Sequence, residues 1–134
     1  MEITNFDDLL QAARSEALPQ RLLFVFAAVE LPADSTEQQI ADFAAGQGGT
    51  LTPSMCVDKS PQELDSFSAL YEEAAQFDKP WGMVFAAVMS GSPGHQPTEA
   101  AIDKAFEDMV EDIKQGRLNR YIPFGPDGQP IQIT

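Results

Sequence analysis

The chain is poor in the residues that build metal and redox centres: it has one cysteine, Cys56, and one histidine, His95. A lone cysteine cannot close an intrachain disulfide or form a cysteine cage for a metal, which fits a reducing cytoplasm. A single histidine likewise excludes a two-histidine metal site. Cofactor signatures are missing too, since no lysine follows a glycine-rich loop in Walker fashion and no glycines stand at dinucleotide-binding spacing. The first residues, Met1-Glu2-Ile3-Thr4, lack the cationic and apolar regions of a secretory signal. The longest apolar runs, Leu22 to Val29 and Met83 to Met89, fall well short of the ~20 residues that cross a bilayer. Cations are scarce: eight Lys and Arg stand against twenty-one Asp and Glu, a net charge of -13. Nucleic-acid phosphates and anionic membranes are repelled by such a surface. The sequence therefore predicts no cofactor, no metal, no nucleic acid and no membrane, and leaves two readings of its acidity: a general acidity of the host's proteins, or a basic protein partner.

What is present is a globular composition, with 43% hydrophobic residues over 134 positions. A chain of this size buries about two thirds of its surface, enough for one domain over residues 1–134. Phe6, Leu9, Leu10 and Ala13 follow Thr4 or Asn5 as cap, with Asp7 and Asp8 at the positive end of the dipole, and predict a first helix. Arg21 to Leu31 is too continuously apolar for a strand with a wet face and predicts a central strand. Asp34 to Glu37 caps a second helix carrying Ile40, Phe43 and Ala44, which Gly46, Gly48 and Gly49 end. Leu51 to Asp58 predicts a shorter strand that Pro53 pushes to a sheet edge. Ser60-Pro61-Gln62-Glu63 is a capping box with proline at the first helical position, ahead of a core-facing stripe of Leu64, Phe67, Leu70, Tyr71, Ala74 and Phe77. Trp81 to Met89 predicts a second buried strand. Thr98 starts a long helix whose inner face is Ile102, Ala105, Phe106, Met109 and Ile113, closed by Gly116. Arg120 to Phe124 and Gln129 to Ile133 flank Gly125-Pro126-Asp127-Gly128 and predict a terminal hairpin.

The word VFAAV occurs at 25–29 and again at 84–88. Around it Phe6, Leu9 and Ala13 run beside Phe67, Leu70 and Ala74, Pro19 beside Pro80, and Thr36-Glu37 with Ile40 beside Thr98-Glu99 with Ile102. The order helix, strand, helix, strand is thus written twice, over about 3–60 and 62–134, by duplication or by the small alphabet that buried strands use. The fold expected is a single α/β domain of helix and sheet layers, with a four- to five-stranded central sheet built from two α-β-α-β repeats and a C-terminal β-hairpin. Thioredoxin-like and ferredoxin-like arrangements both fit.

The stretches NFDDLLQAA, LLFVFAAVELP, GTLTPSMCVDKSPQEL and FGPDGQP resemble a family of small acidic proteobacterial proteins often labelled ribonucleotide reductase alpha subunit. The resemblance covers most of the chain and implies no activity and no site residues. The label itself conflicts with the chemistry, because such a reductase needs a radical-carrying cysteine and a redox pair of cysteines in a far larger barrel. The resemblance implies kinship and not that reaction.

Two places are candidates for function. Glu99, Asp103, Glu107 and Glu111 recur every four residues along the last long helix, roughly 120° from its apolar face. Like charges at that spacing cost about 0.2–0.5 kcal/mol per pair, so the row is either a solvated face or a surface for a basic protein partner. The second place is the loop Ser90, Gly91, Ser92, Pro93, Gly94 and His95, between a buried strand and a helix start, where open α/β proteins hold small ligands and phosphate. It reads either as a plain connection or as a small-molecule or phosphate site. His95 would need a nucleophile such as Cys56 beside it to do acid–base work. Cys56 itself is expected to be a packed strand residue whose pKa the Asp58 carboxylate raises. No catalytic constellation emerges, and a non-catalytic, protein-binding role is the expectation.

Overall fold

A computed structural model of the chain describes residues 5–30, 36–38, 50–77, 81–115, 117, 118 and 120–131. Its elements in chain order are helix α1 (Phe6–Arg14), strand β1 (Gln20–Glu30), strand β2 (Thr50–Lys59), helix α2 (Phe67–Ala75), strand β3 (Met83–Ser90), helix α3 (Glu99–Gln115) and strand β4 (Ile122–Phe124). The strands form one four-stranded sheet in the order β2-β1-β3-β4, antiparallel at every pairing. The α/β layering expected from the sequence is therefore present, without any parallel strand pair among the described residues. The expected helix around Ile40, Phe43 and Ala44, and the glycines that end it, lie outside the described residues.

Both VFAAV segments are inner strands, paired directly with each other, but the second buried strand expected over Trp81 to Met89 is fully covered only from Met83 to Ala86, and Val88 is 41% exposed. Residues of β1 alternate between two cores. Leu22, Phe24 and Phe26 meet Val84, Ala86 and Phe124 beneath α1 and α2, with Phe6, Leu9, Leu10, Leu70 and Ala74. Leu23, Val25 and Ala27 meet Met83 and Phe85 beneath α3, with Ile102, Met109 and Ile113. The molecule thus has three layers, two helices over one face of the sheet and α3 over the other. Since Val25 pairs with Phe85 and Phe26 with Val84, the repeated letters point to opposite faces in the two strands.

Local chemistry sets the helix starts. Asn5 is extended and accepts a 2.8 Å bond from the Asp8 N–H, with Asp7 and Asp8 in the first turn. At α2 half of the expected capping box forms: Ser60 Oγ accepts from the Glu63 N–H at 3.3 Å, and it is the Ser60 hydroxyl that donates to Glu63 Oε2, at 3.1 Å. It closes only one turn, however, and α2 starts later, capped by Ser66. Arg14 of α1 docks on that short turn, Nε donating to Pro61 O at 3.0 Å and Nη2 to Leu64 O at 2.7 Å, so carbonyls that no continuing helix satisfies find partners there. Of the expected stripe, Leu64, Leu70 and Ala74 are buried, but Tyr71 and Phe77 are exposed rather than core-facing, Phe77 lying past the helix end at Ala75.

β2 is an edge strand, as Pro53 suggested, although it is longer than expected. The register slips between Phe26 and Ala27, so that Met55 and Pro53 face successive β1 residues and Ser54 is the extra one; its Oγ donates to Phe26 O at 3.2 Å. After β4, the Gly128 N–H donates to Gly125 O and the Gly125 N–H to Gln129 O, both at 3.0 Å, and Gly128 takes a φ of 77°. A Cβ there would stand 2.9 Å from Phe67 Cδ2, so this turn is glycine-dependent and packs on α2. The returning segment reaches β4 through one Phe124–Pro130 bridge rather than as a described strand.

Phe26 and Phe85 occupy the same letter of the repeated word but fill opposite cores. Truncating either to alanine should lower unfolding free energy by about 3–5 kcal/mol in guanidinium titrations. A loss under about 1 kcal/mol at one of them would show that its face of the sheet is not close-packed.

Candidate functional site

The acidic row stands on α3, whose start is fixed by Thr98: its Oγ1 accepts from the Ala101 N–H at 3.1 Å and its carbonyl from the Ile102 N–H at 3.0 Å. Ile102, Met109 and Ile113 anchor the helix on the sheet, and Glu99, Asp103, Glu107 and Glu111 are all exposed. The row is not uniform. Asp103 and Glu107 border a cleft of about 580 Å³ between α3 and β2, lined among the described residues also by Phe106, Val110 and Cys56. Glu99 and Glu111 lie outside it, and Glu111 accepts a 2.8 Å bond from Gln115. On the same helix Lys104 is held by Asp108 at 2.9 Å, which with the neighbouring Glu107 raises the lysine pKa. The cleft therefore has an apolar floor and an anionic rim, with no cation among the described residues that line it.

Cys56 is exposed, not packed in the strand as the sequence suggested. It stands opposite Val25 in the β1–β2 ladder, on the α3 side. Edge strands have one flank without a neighbour, so an apolar stretch of β2 does not guarantee burial. Its thiol pKa is raised by partial burial in the cleft, and not by Asp58; at neutral pH it is a poor nucleophile.

The Ser90–His95 loop is a tight turn. Ser92 and His95 exchange N–H···O bonds of 3.0 and 2.8 Å across Pro93-Gly94, with Gly94 at a φ of 76°, as a type II turn requires. The Gly91 N–H donates to Pro19 O at 2.8 Å, and a side chain at Gly91 would collide with His95 O. Ser90 Oγ is bonded to the Gln20 amide. The N–H groups of Gly91, Ser92 and His95 are thus spent within the protein, and proline has none, which leaves the loop little with which to cradle an anion. Nor does it meet the thiol: the loop is tied to the start of β1 while Cys56 lies opposite Val25, roughly 16 Å further along the strand.

Sequence reasoning missed a polar knot at the end of α3. Asp112, whose side chain is 9% exposed, accepts from Tyr121 Oη at 2.5 Å and from Arg117 Nε at 3.0 Å, with Arg120 Nη1 3.8 Å away. Its carbonyl accepts from the Arg117 N–H at 2.8 Å, capping the helix. The Tyr121 hydrogen bond, aided by the two arginines, holds the carboxyl below its ordinary value; burial and the same carboxylate push Tyr121 up to about 12. Neither group is poised for proton transfer near neutrality, so the knot holds the α3 terminus to the β4 segment. A signal was available, because Asp112 follows Met109 by three positions and sits beside Ile113 on the apolar side of the helix.

Among the described residues no His, Cys, Asp or Glu side chains gather as a metal cage, no buried side-chain nitrogen or oxygen lacks a partner, and no helix is long and apolar enough to cross a membrane. No family model, no curated protein and no solved structure matches the chain.

The Asp112–Tyr121 pair makes stability depend on pH at both ends. Asp112 has a depressed folded pKa, so its contribution is present above about 4 and lost as pH falls through the folded value. Tyr121 has a raised one, so its contribution holds below about 10 and is lost as pH rises toward about 12. Denaturant midpoints of Asp112→Asn should fall less steeply in acid than those of the parent, and midpoints of Tyr121→Phe less steeply in alkali; parallel curves for parent and variants would remove the knot from the pH dependence.

Proposed function

We propose that the chain is a non-catalytic cytoplasmic protein that binds a basic segment of another protein through the acidic surface of α3. The observation that carries this reading is the α3–β2 cleft, in which Phe106 and Val110 floor a space rimmed by Asp103 and Glu107. Lysine and arginine match both parts, laying aliphatic stems on an apolar floor while the charged heads reach the carboxylates. The row supplies a driving force of its own. Its successive like-charge neighbours repel by about 0.2–0.5 kcal/mol per pair, and a bound cation relieves that repulsion.

The distribution of the protein's own cations supports the same reading. Arg21 pairs with Asp58 at 2.7 Å and Lys59 with Glu73 at 2.9 Å, while Arg117 and Arg120 are committed to Asp112. Arg14 is spent on carbonyl oxygens. On α3 itself Lys104 is held by Asp108 and Lys114 stands in the last turn, away from Asp103 and Glu107; with a net charge of -13, the field at the surface draws in positive partners. The tight Ser90–His95 turn and the high thiol pKa of Cys56 weigh against a catalytic alternative. The four sequence stretches that resemble small acidic proteobacterial proteins carry no activity of their own and leave this reading to rest on the α3–β2 cleft.

The test is a titration of the protein with a fluorescently labelled amphipathic Lys/Arg peptide and its Glu-substituted counterpart. The basic peptide should bind and the acidic one should not, with affinity falling about tenfold or more between roughly 0.05 M and roughly 0.5 M salt. Asp103→Lys combined with Glu107→Lys should weaken binding of the basic peptide by about tenfold or more. Equal affinity of the charge-reversed variant, or salt-independent binding, would count decisively against the proposal.

A further inference from the structure

The opposite face of the sheet carries a second cleft, of about 340 Å³, between α2 and the Gly125–Gly128 turn, lined by Phe67, Ser68, Tyr71, Glu72, Pro126 and Asp127. Its wall is aromatic. Tyr71 is 45% exposed, an unusual state for a ring in contact with two others: Trp81 at 5.6 Å edge-on and Phe67 at 6.5 Å. Those contacts continue inward. Trp81 meets buried Phe26 at 5.0 Å, and Phe67 meets buried Phe6 at 5.1 Å, so the Tyr71 ring is braced by the core. The opposite wall is fixed by the turn, in which Gly128 lies against the Phe67 ring and Asp127 Oδ1 is oriented by the Gln129 N–H at 3.0 Å.

Both charged residues of this lining, Glu72 and Asp127, are acidic, and no lysine or arginine among the described residues shares it. The nearby Lys59 is occupied by Glu73. A braced, half-exposed ring flanked by two carboxylates, with no cation among the described lining residues, is complementary to one chemistry above others, a planar cation that stacks while donating hydrogen bonds on both sides. Guanidinium satisfies both demands, whereas an ammonium is more strongly hydrated and donates from a point. The volume lies at the lower end of the ~300–1,000 Å³ of small-molecule sites, which suits one side chain and its flanking backbone better than a nucleotide.

We propose that this cleft is a second binding site, which takes an arginine side chain of an extended partner segment over the Tyr71 ring and between Glu72 and Asp127. It lies on the face opposite to α3 and operates independently of the acidic row. The experiment is an NMR titration of isotope-labelled full-length chain with acetyl-Gly-Ser-Arg-Arg-Gly-Ser-amide, alongside the same peptide with lysine or with citrulline, the neutral isostere of arginine. The arginine peptide should shift the amide resonances of Ser68, Tyr71, Glu72 and Asp127. Citrulline should weaken binding by about tenfold or more, and lysine should bind more weakly than arginine. Tyr71→Leu and Glu72→Gln should each weaken it by about threefold or more, with the spectrum elsewhere retained as the check on folding. Asp103→Lys, on the other face, should leave these shifts in place, which separates failure here from failure of the α3 reading. Shifts confined to the α3–β2 cleft, equal binding of citrulline or lysine, or no shift at all would overturn the proposal.

Discussion

The structure depends on a requirement carried by the paired middle of β1 and β3: from Leu22 to Ala27 and from Met83 to Ala86 neither face of the sheet meets water, while the end of β3, with Val88 41% exposed, emerges from cover. From Leu22 to Ala27 every residue of β1 is at most 1% exposed, and Val84, Phe85 and Ala86 of β3 are equally covered. Side chains alternate across a sheet, so a strand with no polar position must be roofed on both sides. The helices answer that demand, α1 and α2 on one face and α3 on the other. Their amphipathic spacing follows from it, and so does the placing of β2 and β4 at the flanks, where burial is partial and polar residues are admitted.

Roofing the sheet with helices of acidic outer surface has an electrostatic consequence. The few cations are drawn into ties between elements, Arg14 from α1 to the 61–64 turn, Lys59 from β2 to α2, Arg117 at the end of α3. Half-exposed pairs of this kind add little to stability, about 0–1 kcal/mol each, but they remove positive charge from the exterior. What remains outside is overwhelmingly carboxylate. Composition announces the sign of that surface; only the fold says where an apolar floor lies beneath it, and it does so at Phe106 and Val110 on one face and at Tyr71 on the other.

Features governed by nearby residues were legible in the sequence. A cap at Thr4 or Asn5, the Thr98 cap, the inner face of α3, the buried middle of β1 and the edge position favoured by Pro53 all follow from contacts a few residues apart or from periodicity alone, whereas the exposure of Val88 at the end of β3 does not. Features governed by distant residues were not. The Ser60–Glu63 turn was legible as a local motif, but not that Arg14, forty-seven residues from Pro61, would dock on its carbonyls. Nor does any periodicity in 64–77 say that the helix stops at Ala75, short of Phe77, or that the cover over Tyr71 is incomplete. Cys56 was misjudged for a related reason: alternation tells which face a strand residue takes, not how far a neighbouring element extends over it. The Asp103–Glu107 half of the acidic row gained a setting from β2, while Glu99 and Glu111 did not, a difference invisible along the helix itself.

The repeated word teaches the same lesson at the level of the sheet. Its copies start fifty-nine positions apart, at Val25 and Val84. A twofold axis normal to an antiparallel pair runs through the midpoint of directly opposed residues and returns each face to itself, so it relates positions separated by an even number. Val25 opposes Phe85, sixty positions on, and the spatial match is therefore one residue out of step with the literal one. Only strands buried on both faces could absorb that slip, since in a half-wet strand it would turn the apolar set outward. Its effect is to make the two cores unlike. One gathers Phe6, Phe24, Phe26 and Phe124, with Phe67 and Trp81 at its margin, while the other is mostly aliphatic around Phe85. The ring-rich core is the one whose contacts reach the surface at Tyr71 by way of Phe26 and Trp81, so the face that Phe26 takes ties the exposed ring to the central strands.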